Sequence, residues 1–166
     1  MRIHRALGML IVSLATMLTA CDDGGRGFGA RTAPFAGPSP FAGASLFPQT
    51  IGFSSVSEFR CPSIAPFFTS FSLFIDQRGG SDVFLDQVHF QFGDHGGNRS
   101  PLLLSRSDLT AMFGSTLVPG GGTRTFAFKP QFGCGLATVP SNLFVDFITL
   151  NRSGVAHPST LTAVLR

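Results

Sequence analysis

The sequence predicts an all-β domain over residues 50–166, an antiparallel β-sandwich with one short helix. Runs of alternating apolar and polar residues recur along this region, as in strands that bury one face. Clusters of Gly, Asn, Asp and Ser separate these runs and predict turns. Charged residues make up 13% of the chain and hydrophobic residues 43%, which is typical of a chain that builds a packed core.

The first predicted strands lie on either side of a turn at residues 76–81. Residues 67–75 are rich in Phe and Ser, and residues 83–92 alternate in polarity. The apolar face of the second of these strands is formed by Val88, Phe90 and Phe92. This pattern predicts two adjacent strands, each with one face against the core.

Three more strands are predicted in the C-terminal half. Residues 123–128 alternate, and residues 143–150 form a nearly continuous apolar run, which predicts a central strand covered on both faces. A hairpin turn at residues 151–154 leads to a closing strand at residues 159–165. The apolar face of that strand is formed by Leu161, Ala163 and Leu165.

One segment predicts a helix. Residues 107–113 combine a Ser at the start with an acidic second residue and apolar residues after it. We expect Ser107 to cap the helix and Asp108 to interact favourably with its N-terminus.

The N-terminal residues predict an export signal. Arg2 and Arg5 precede an uncharged stretch, residues 6–19, whose fourteen residues span about 21 Å as a helix. This length is short of the ~30 Å hydrocarbon core, so the stretch predicts a signal segment rather than a permanent span. It ends in Leu18-Thr19-Ala20-Cys21, which resembles the lipobox of bacterial lipoproteins. The resemblance implies a signal peptide at residues 1–20, cleavage before Cys21, and lipid on the Cys21 thiol.

Residues 21–49 predict a tether between that anchor and the domain. They are rich in Gly, Ala, Pro and Ser, a composition that opposes both helix and central strand. Phe residues also recur here every six or seven positions. The alternative interpretation is that the tether packs in part, with single Phe side chains in surface grooves.

The two remaining cysteines predict one disulfide. With Cys21 lipidated, Cys61 and Cys134 form an even pair in an exported chain. The alternative is a nucleophilic thiol, which is weaker because neither cysteine has a His or a helix N-terminus beside it in sequence.

The sequence contains few residues and motifs that are typical of enzymes. It lacks the zinc-binding, phosphate-loop, dinucleotide-binding and serine-nucleophile motifs, and it has a single Glu, Glu58. We therefore predict that the protein is not an enzyme and needs no cofactor. The net charge is +3 with no concentrated basic run, so a nucleic-acid partner is not expected.

Two groups of residues are candidates for metal binding. The first is His89, Asp94 and His95, in one strand and the loop after it, which offer transition-metal ligands. The second is Asp76, Asp82 and Asp86, which flank one turn and offer ligands for Ca²⁺. The competing interpretation, which we favour for both, is a solvated strand face and ordinary turns.

A second resemblance concerns the fold. The segment Leu117-Val-Pro-Gly-Gly-Gly-Thr-Arg-Thr-Phe126 is similar to a Leu-x-Pro-Gly element followed by a strand in bacterial immunoglobulin-like domains. The strand–turn–strand at residues 143–165 would match their last hairpin. The resemblance implies an immunoglobulin-like β-sandwich. The buried Trp of antibody domains is absent, so only the architecture carries over, and a jelly roll or other β-barrel is the alternative.

These features together predict a lipoprotein of the bacterial cell envelope, anchored to a membrane by lipid, whose β-sandwich is a binding or structural module. The expected partners are the membrane and an envelope protein or polysaccharide. The loop after the strand at residues 83–92, residues 94–101, is the candidate binding surface, and the competing interpretation is that it only reverses the chain. Alanine substitution of its four polar residues is expected to change stability by no more than about 1 kcal/mol. These polar residues are Asp94, His95, Asn98 and Arg99. The alternative function is a periplasmic protein that binds a metal or small ligand.

Overall fold

The computed structural model describes residues 43–166. The predicted signal peptide, Cys21 and most of the predicted tether therefore lie outside the described residues. Within the described residues the chain forms twelve strands and one helix, so the prediction of an all-β domain with one short helix is confirmed. The elements in chain order are β1 (Gly43–Phe47), β2 (Thr50–Ile51), β3 (Phe53–Ser55), β4 (Phe67–Thr69), β5 (Phe71–Gln77), β6 (Val83–Asp94), β7 (Arg99–Leu104), α1 (Arg106–Phe113), β8 (Leu117–Val118), β9 (Gly122–Phe128), β10 (Gln131–Phe132), β11 (Pro140–Asn151) and β12 (Ala156–Leu165).

The largest sheet has the strand order β2-β12-β11-β6-β7, with β8 paired to the first two residues of β6. Its centre is the antiparallel pair β6 and β11, each twelve residues long. Only β2 runs parallel to its neighbour, β12. The β11–β12 hairpin closes through the predicted turn, where Gly154 adopts a φ of 78° and donates its N–H to the Asn151 carbonyl.

Two short three-stranded sheets accompany the large sheet and contact it through aromatic rings. One has the order β1-β5-β9 and the other β10-β4-β3. Only Ser70 separates β4 from β5, and only Lys129 and Pro130 separate β9 from β10. The Thr69 N–H donates to the Pro130 carbonyl at this junction, so the antiparallel pairing continues from one short sheet into the next.

Phe rings hold the facing sheets together. The Phe90 ring of β6 lies edge-on to Phe71 of β5 and Phe128 of β9, with centroids 5.3 and 5.0 Å apart. The Phe92 ring stacks on Phe132 of β10 at 3.9 Å. Val88, Phe90 and Phe92 are fully buried, which confirms the predicted alternation in this strand. Offset and edge-on aromatic pairs add to the free energy gained by burying apolar surface.

The prediction that residues 143–150 are covered on both faces is wrong. In β11 the buried side chains alternate with half-buried ones, such as Phe144, Asp146 and Ile148. The apolar run misled because an antiparallel sheet needs only one buried face, and apolar residues on the other face remain partly solvated.

The helix is where the sequence predicts it, but its cap is two residues earlier. The Ser105 hydroxyl accepts the Asp108 N–H, and the Asp108 carboxylate accepts the Ser105 N–H at 2.8 Å, a reciprocal capping box. Leu109 is buried, and the Phe113 ring lies edge-on to Phe126 of β9. Within residues 43–166 there is no helix long and apolar enough to cross a membrane.

The folded domain begins earlier than the predicted boundary at residue 50. Residues 43–47, the last part of the predicted tether but for two residues, form β1 and pair with β5. Leu46 of β1 is buried opposite Leu73. The sequence does not show this strand because five residues, two of them Ala and Gly, give almost no periodicity, and its pairing partner is distant in the chain.

The disulfide between Cys61 and Cys134 is present, with Cα atoms 5.6 Å apart, as predicted. It joins the hairpin formed by residues 56–66 to the loop between β10 and β11. The bond closes a separation of 73 residues, so in the chain-entropy model it stabilises the fold by restricting the unfolded chain.

Candidate binding surface

Asp94 ends β6 and organises the turn that follows it. Its backbone N–H donates to the Asn98 carbonyl, and its own carbonyl accepts the Gly97 N–H. Gly97 has a φ of 85°, a conformation in which a residue without Cβ is unstrained. The turn therefore follows directly from the Asp94-His-Gly-Gly-Asn98 sequence.

The Asp94 side chain also joins two loops. Although it is only 4% exposed, its carboxylate accepts N–H groups from Asn98, Ala137 and Thr138 at 2.8–3.0 Å. The Asn98 side-chain amide donates to it as well, at 3.0 Å. Burial raises the pKa of Asp94, but these hydrogen bonds outweigh it and hold the pKa well below its usual range.

The expectation that alanine substitution of the loop's four polar residues changes stability by no more than about 1 kcal/mol therefore does not fit the structure. Asp94 is a buried residue that holds the turn against the loop of residues 133–139, and Asn98 is one of its donors. Sequence reasoning missed this because Ala137 and Thr138 are more than 40 residues away. His95 and Arg99 remain as exposed side chains of the predicted surface.

The structure does not group the candidate metal ligands. Within residues 43–166 no three His, Cys, Asp or Glu side chains come together in a way that could hold a metal ion, so His89, Asp94 and His95 form no such group. The three carboxylates near the first turn each pair with an arginine at 2.6–2.8 Å. These pairs are Asp76 with Arg78, Asp82 with Arg152, and Asp86 with Arg106.

A row of polar side chains crosses the solvent-facing side of the large sheet, beginning at Arg99. The Arg99 guanidinium donates to the Gln91 side-chain oxygen at 2.6 Å. Gln91 in turn donates to Asp146 at 3.0 Å, and the Thr160 hydroxyl donates to the other Asp146 oxygen at 2.6 Å. The row therefore connects β7, β6, β11 and β12 and fixes these side chains relative to one another.

Arg99 has hydrogen-bonding capacity left for a ligand. Its guanidinium carbon lies 4.6 Å from the centroid of the Phe144 ring, a cation–π contact that helps to hold the group over the sheet. No carboxylate of the described residues forms an ion pair with it, unlike Arg78, Arg106 and Arg152. A guanidinium has five N–H donors in a fixed fork, a geometry that matches carboxylate and phosphate groups.

Sequence reasoning identified Arg99 but missed its neighbours Gln91, Phe144 and Asp146. Strand alternation places Gln91 on the face opposite Phe90, and it places Phe144 and Asp146 on a common face. What the sequence lacks is the register, which pairs Phe144 with Gln91 and Asp146 with His89. That register determines which side chains meet across the sheet.

Comparison with known proteins gives only distant similarities. No protein-family model matches the chain, and no curated protein matches it. A solved structural-genomics target designated SoR45 is 12% identical, with a TM-score of 0.45 over 72% of this chain and 85% of the other. The putative ApaA protein from Bordetella pertussis is 11% identical, with a TM-score of 0.44 over 76% of this chain and 96% of the other.

A third solved structure is the alkylpurine DNA glycosylase AlkC of Pseudomonas fluorescens, bound to DNA containing an abasic-site analogue. It is 10% identical, with a TM-score of 0.38 over 73% of this chain and 28% of the other. Similarities at this level carry no information about what the present chain binds or does.

Proposed function

We propose that this protein is a lipoprotein of the bacterial cell envelope whose β domain binds a partner through the surface around Arg99. The observation that carries the anchoring part is Leu18-Thr19-Ala20-Cys21, at the end of an uncharged stretch that follows Arg2 and Arg5. Lipid on Cys21 would hold the domain at a membrane. Two or more acyl chains would make that attachment firm, since a single chain binds only marginally.

The disulfide supports export. Cys61 and Cys134 are bonded, and structural disulfides persist in oxidising compartments outside the cytosol. Each of the three cysteines then has a role, one as the lipid attachment site and two in the disulfide.

An immunoglobulin-like architecture for the domain is supported by its strand order. The order β1-β5-β9 corresponds to strands A, B and E of that fold, and β12-β11-β6-β7 to strands G, F, C and C′. The disulfide lies elsewhere than in antibody domains, since neither Cys61 nor Cys134 falls within a strand. In such a domain the loops and the outer sheet faces are available for binding.

The ligand that best fits the surface carries acidic groups. Arg99 offers free guanidinium donors, and exposed His95 lies four residues before it on the same turn. Asp146 accepts hydrogen bonds from Gln91 and Thr160, an arrangement that positions Gln91 under Arg99. We therefore propose an acidic envelope polysaccharide, or an acidic patch on an envelope protein, as the partner.

The anchoring is tested by labelling cells that express the full chain with a palmitate analogue. Cys21→Ser should abolish labelling and leave the protein unprocessed, whereas Asp22→Asn, which keeps all four residues of the motif, should label normally. Labelling of the Cys21→Ser variant at the wild-type level would refute the lipid anchor.

The binding surface is tested by pull-down of envelope polysaccharide and envelope protein fractions. Arg99→Ala should reduce recovery of the bound fraction several-fold, whereas Arg78→Ala, which removes an exposed arginine already paired with Asp76, should not. Equal recovery with both variants would show that Arg99 is not part of the binding surface. The fraction in which recovery falls identifies the class of partner.

A further inference from the structure

The strand β12 has one edge that is largely unpaired. On one side it pairs with β11, from Leu150 opposite Ala156 to Asn142 opposite Val164. On the other side β2 covers only Val164 and Leu165. Among residues 43–166 no strand pairs with the outer side of residues 156–163. Eight residues of sheet edge are therefore open to another strand.

The hydrogen bonds to β2 show which backbone groups face outward. The Val164 N–H donates to the Gln49 carbonyl, and the Arg166 N–H to the Ile51 carbonyl, so even-numbered residues direct their backbone groups away from β11. Since this direction alternates along an antiparallel pair, Thr160 and Thr162 each present a free N–H and C=O at the edge. Pro158 presents a carbonyl without an N–H.

This edge has little protection against pairing. Natural edge strands are usually blunted by charged side chains, bulges, short length or a covering element. The sequence of β12, Ala-His-Pro-Ser-Thr-Leu-Thr-Ala-Val-Leu, contains no Asp, Glu, Lys or Arg, and Pro158 is its one blunting residue. On the opposite side of the sheet, by contrast, the chain after β7 continues into α1, whose Arg106 pairs with Asp86 of β6.

Exposed apolar side chains lie at both ends of the open edge. Val155, directly before β12, is 52% exposed, and Val164 near its end is 48% exposed. Leu161, midway between them, lines an open groove of about 660 Å³ between β12 and β1. An uncharged edge with apolar residues at its two ends is suited to an uncharged extended strand.

We propose that β12 pairs antiparallel with β12 of a second copy of this chain, about a two-fold axis at Ser159. A two-fold pair sets a strand against itself, so any charge would meet like charge nearby, and β12 has none. The free edge is limited by the hairpin turn before residue 156 and by β2 at residue 164. A two-fold axis at Ser159, near the middle of this edge, allows the longest pairing of the two copies.

This register pairs all of the outward backbone groups of residues 156–162 except the Thr160 carbonyl. Thr162 would exchange both backbone hydrogen bonds with Ala156 of the partner subunit. The Thr160 N–H would donate to the carbonyl of Pro158 of the partner subunit, but the Thr160 carbonyl would gain no donor in return because proline has no N–H. The two large sheets would join into one continuous sheet.

Cysteine cross-linking in the full-length chain tests the register. Ser159 would face its own copy as a non-hydrogen-bonded pair, with Cα atoms about 4.5 Å apart, a separation that a disulfide can span. Ser159→Cys should give a disulfide-linked dimer in non-reducing gels of detergent-extracted membranes. The matched control is Ser153→Cys, in the exposed turn, which lies six residues from the axis and therefore about 40 Å from its copy at ~3.3 Å per residue. Monomer only, equal dimer at both positions, or linkage to a different protein would overturn the proposal.

Sedimentation of the full-length chain in detergent gives an independent test. Thr162→Pro removes an outward N–H without removing a bond to β11, so it should lower the dimer fraction at least several-fold while the circular dichroism spectrum stays unchanged. Thr162→Ala keeps the N–H and should dimerise as the wild type does. Pro158→Ala supplies the missing donor and should raise the dimer fraction. A wild-type chain that stays monomeric at all concentrations, or dimerisation unaffected by Thr162→Pro, would refute the paired edge.

Discussion

The guanidinium of Arg99 lies over the ring of Phe144, 4.6 Å from its centroid, on the solvent-facing side of the large sheet. The two residues come from β7 and β11, which are not neighbours in the sheet, since β6 lies between them. The side chain of Gln91, from β6, donates to Asp146 and accepts from Arg99. The proposed binding group is therefore positioned by residues of three strands.

Asp94→Asn should destabilise the domain more than any other Asp-to-Asn substitution in residues 43–166. The buried carboxylate accepts N–H groups from two loops, and an amide cannot accept from all of them at once. Thermal denaturation followed by circular dichroism measures the effect. Asp76→Asn, at an exposed ion pair, is the control and should leave the melting temperature almost unchanged. Equal melting temperatures for the two variants would contradict the role assigned to Asp94.

The same residue should make the domain sensitive to acid. The pKa of Asp94 is lowered in the folded state, so its stabilising contribution is complete above the unfolded-state value of about 3.9 and is lost as the pH falls below it. The difference in stability between wild type and Asp94→Asn should be constant from pH 7 to about pH 5 and should shrink below about pH 4. Denaturant titrations at several pH values measure it, and a difference independent of pH down to pH 2 would contradict the assignment.

Gly93→Ala should destabilise the fold by about 1–3 kcal/mol, the usual cost of overpacking. A Cβ atom at Gly93 would overlap the side-chain oxygen of Asn142 on the neighbouring strand, and that oxygen is buried. The double variant Gly93→Ala, Asn142→Ala removes the overlapping side chain and should recover part of the lost stability. Urea denaturation of the single and double variants measures this coupling, and strictly additive effects would contradict the predicted overlap.

Phe90→Ala should cost about 3–5 kcal/mol, as expected for a large side chain removed from a packed core. Phe90 is fully buried, and its ring contacts those of Phe71, Phe92 and Phe128. Phe47→Ala is the matched control, because Phe47 is 66% exposed and its loss should cost well under 1 kcal/mol. Chemical denaturation measures the loss of unfolding free energy in both variants. Equal losses would contradict the role of Phe90 in joining the sheets.

Ser105→Ala should lower stability by about 1 kcal/mol, because it removes the cap of α1. Ser107→Ala should cost less than about 0.5 kcal/mol, since Ser107 lies inside the first turn and is exposed. Thermal denaturation separates the two positions. If Ser107→Ala were the more destabilising of the two substitutions, Ser107 would be the cap of α1, as the sequence predicts, and the assignment of Ser105 would be wrong.

Much of the fold could be predicted because it depends on local patterns. The alternation of Val88, Phe90 and Phe92 determined which face of β6 is buried, and the hairpin turn before β12 followed from Asn151 and Gly154. The Cys61–Cys134 bridge followed from there being two cysteines besides the one in the export motif. The strand β1 could not be predicted, because its short sequence is stabilised by pairing with β5 and not by its own periodicity.

The candidate site, like the fold, could be predicted from the sequence only in part. By itself the sequence determined the turn at Asp94, the exposure of His95 and Arg99, and the motif at Cys21 on which the proposed anchor rests. Only the tertiary structure decided that Asp94 holds two loops together and that Arg99 lies over Phe144 beside Gln91. The reason is physical: the contact of Asp94 with Ala137 and that of Arg99 with Phe144 each join residues more than 40 positions apart. Strand register, which a single sequence does not encode locally, determines which side chains meet across the sheet.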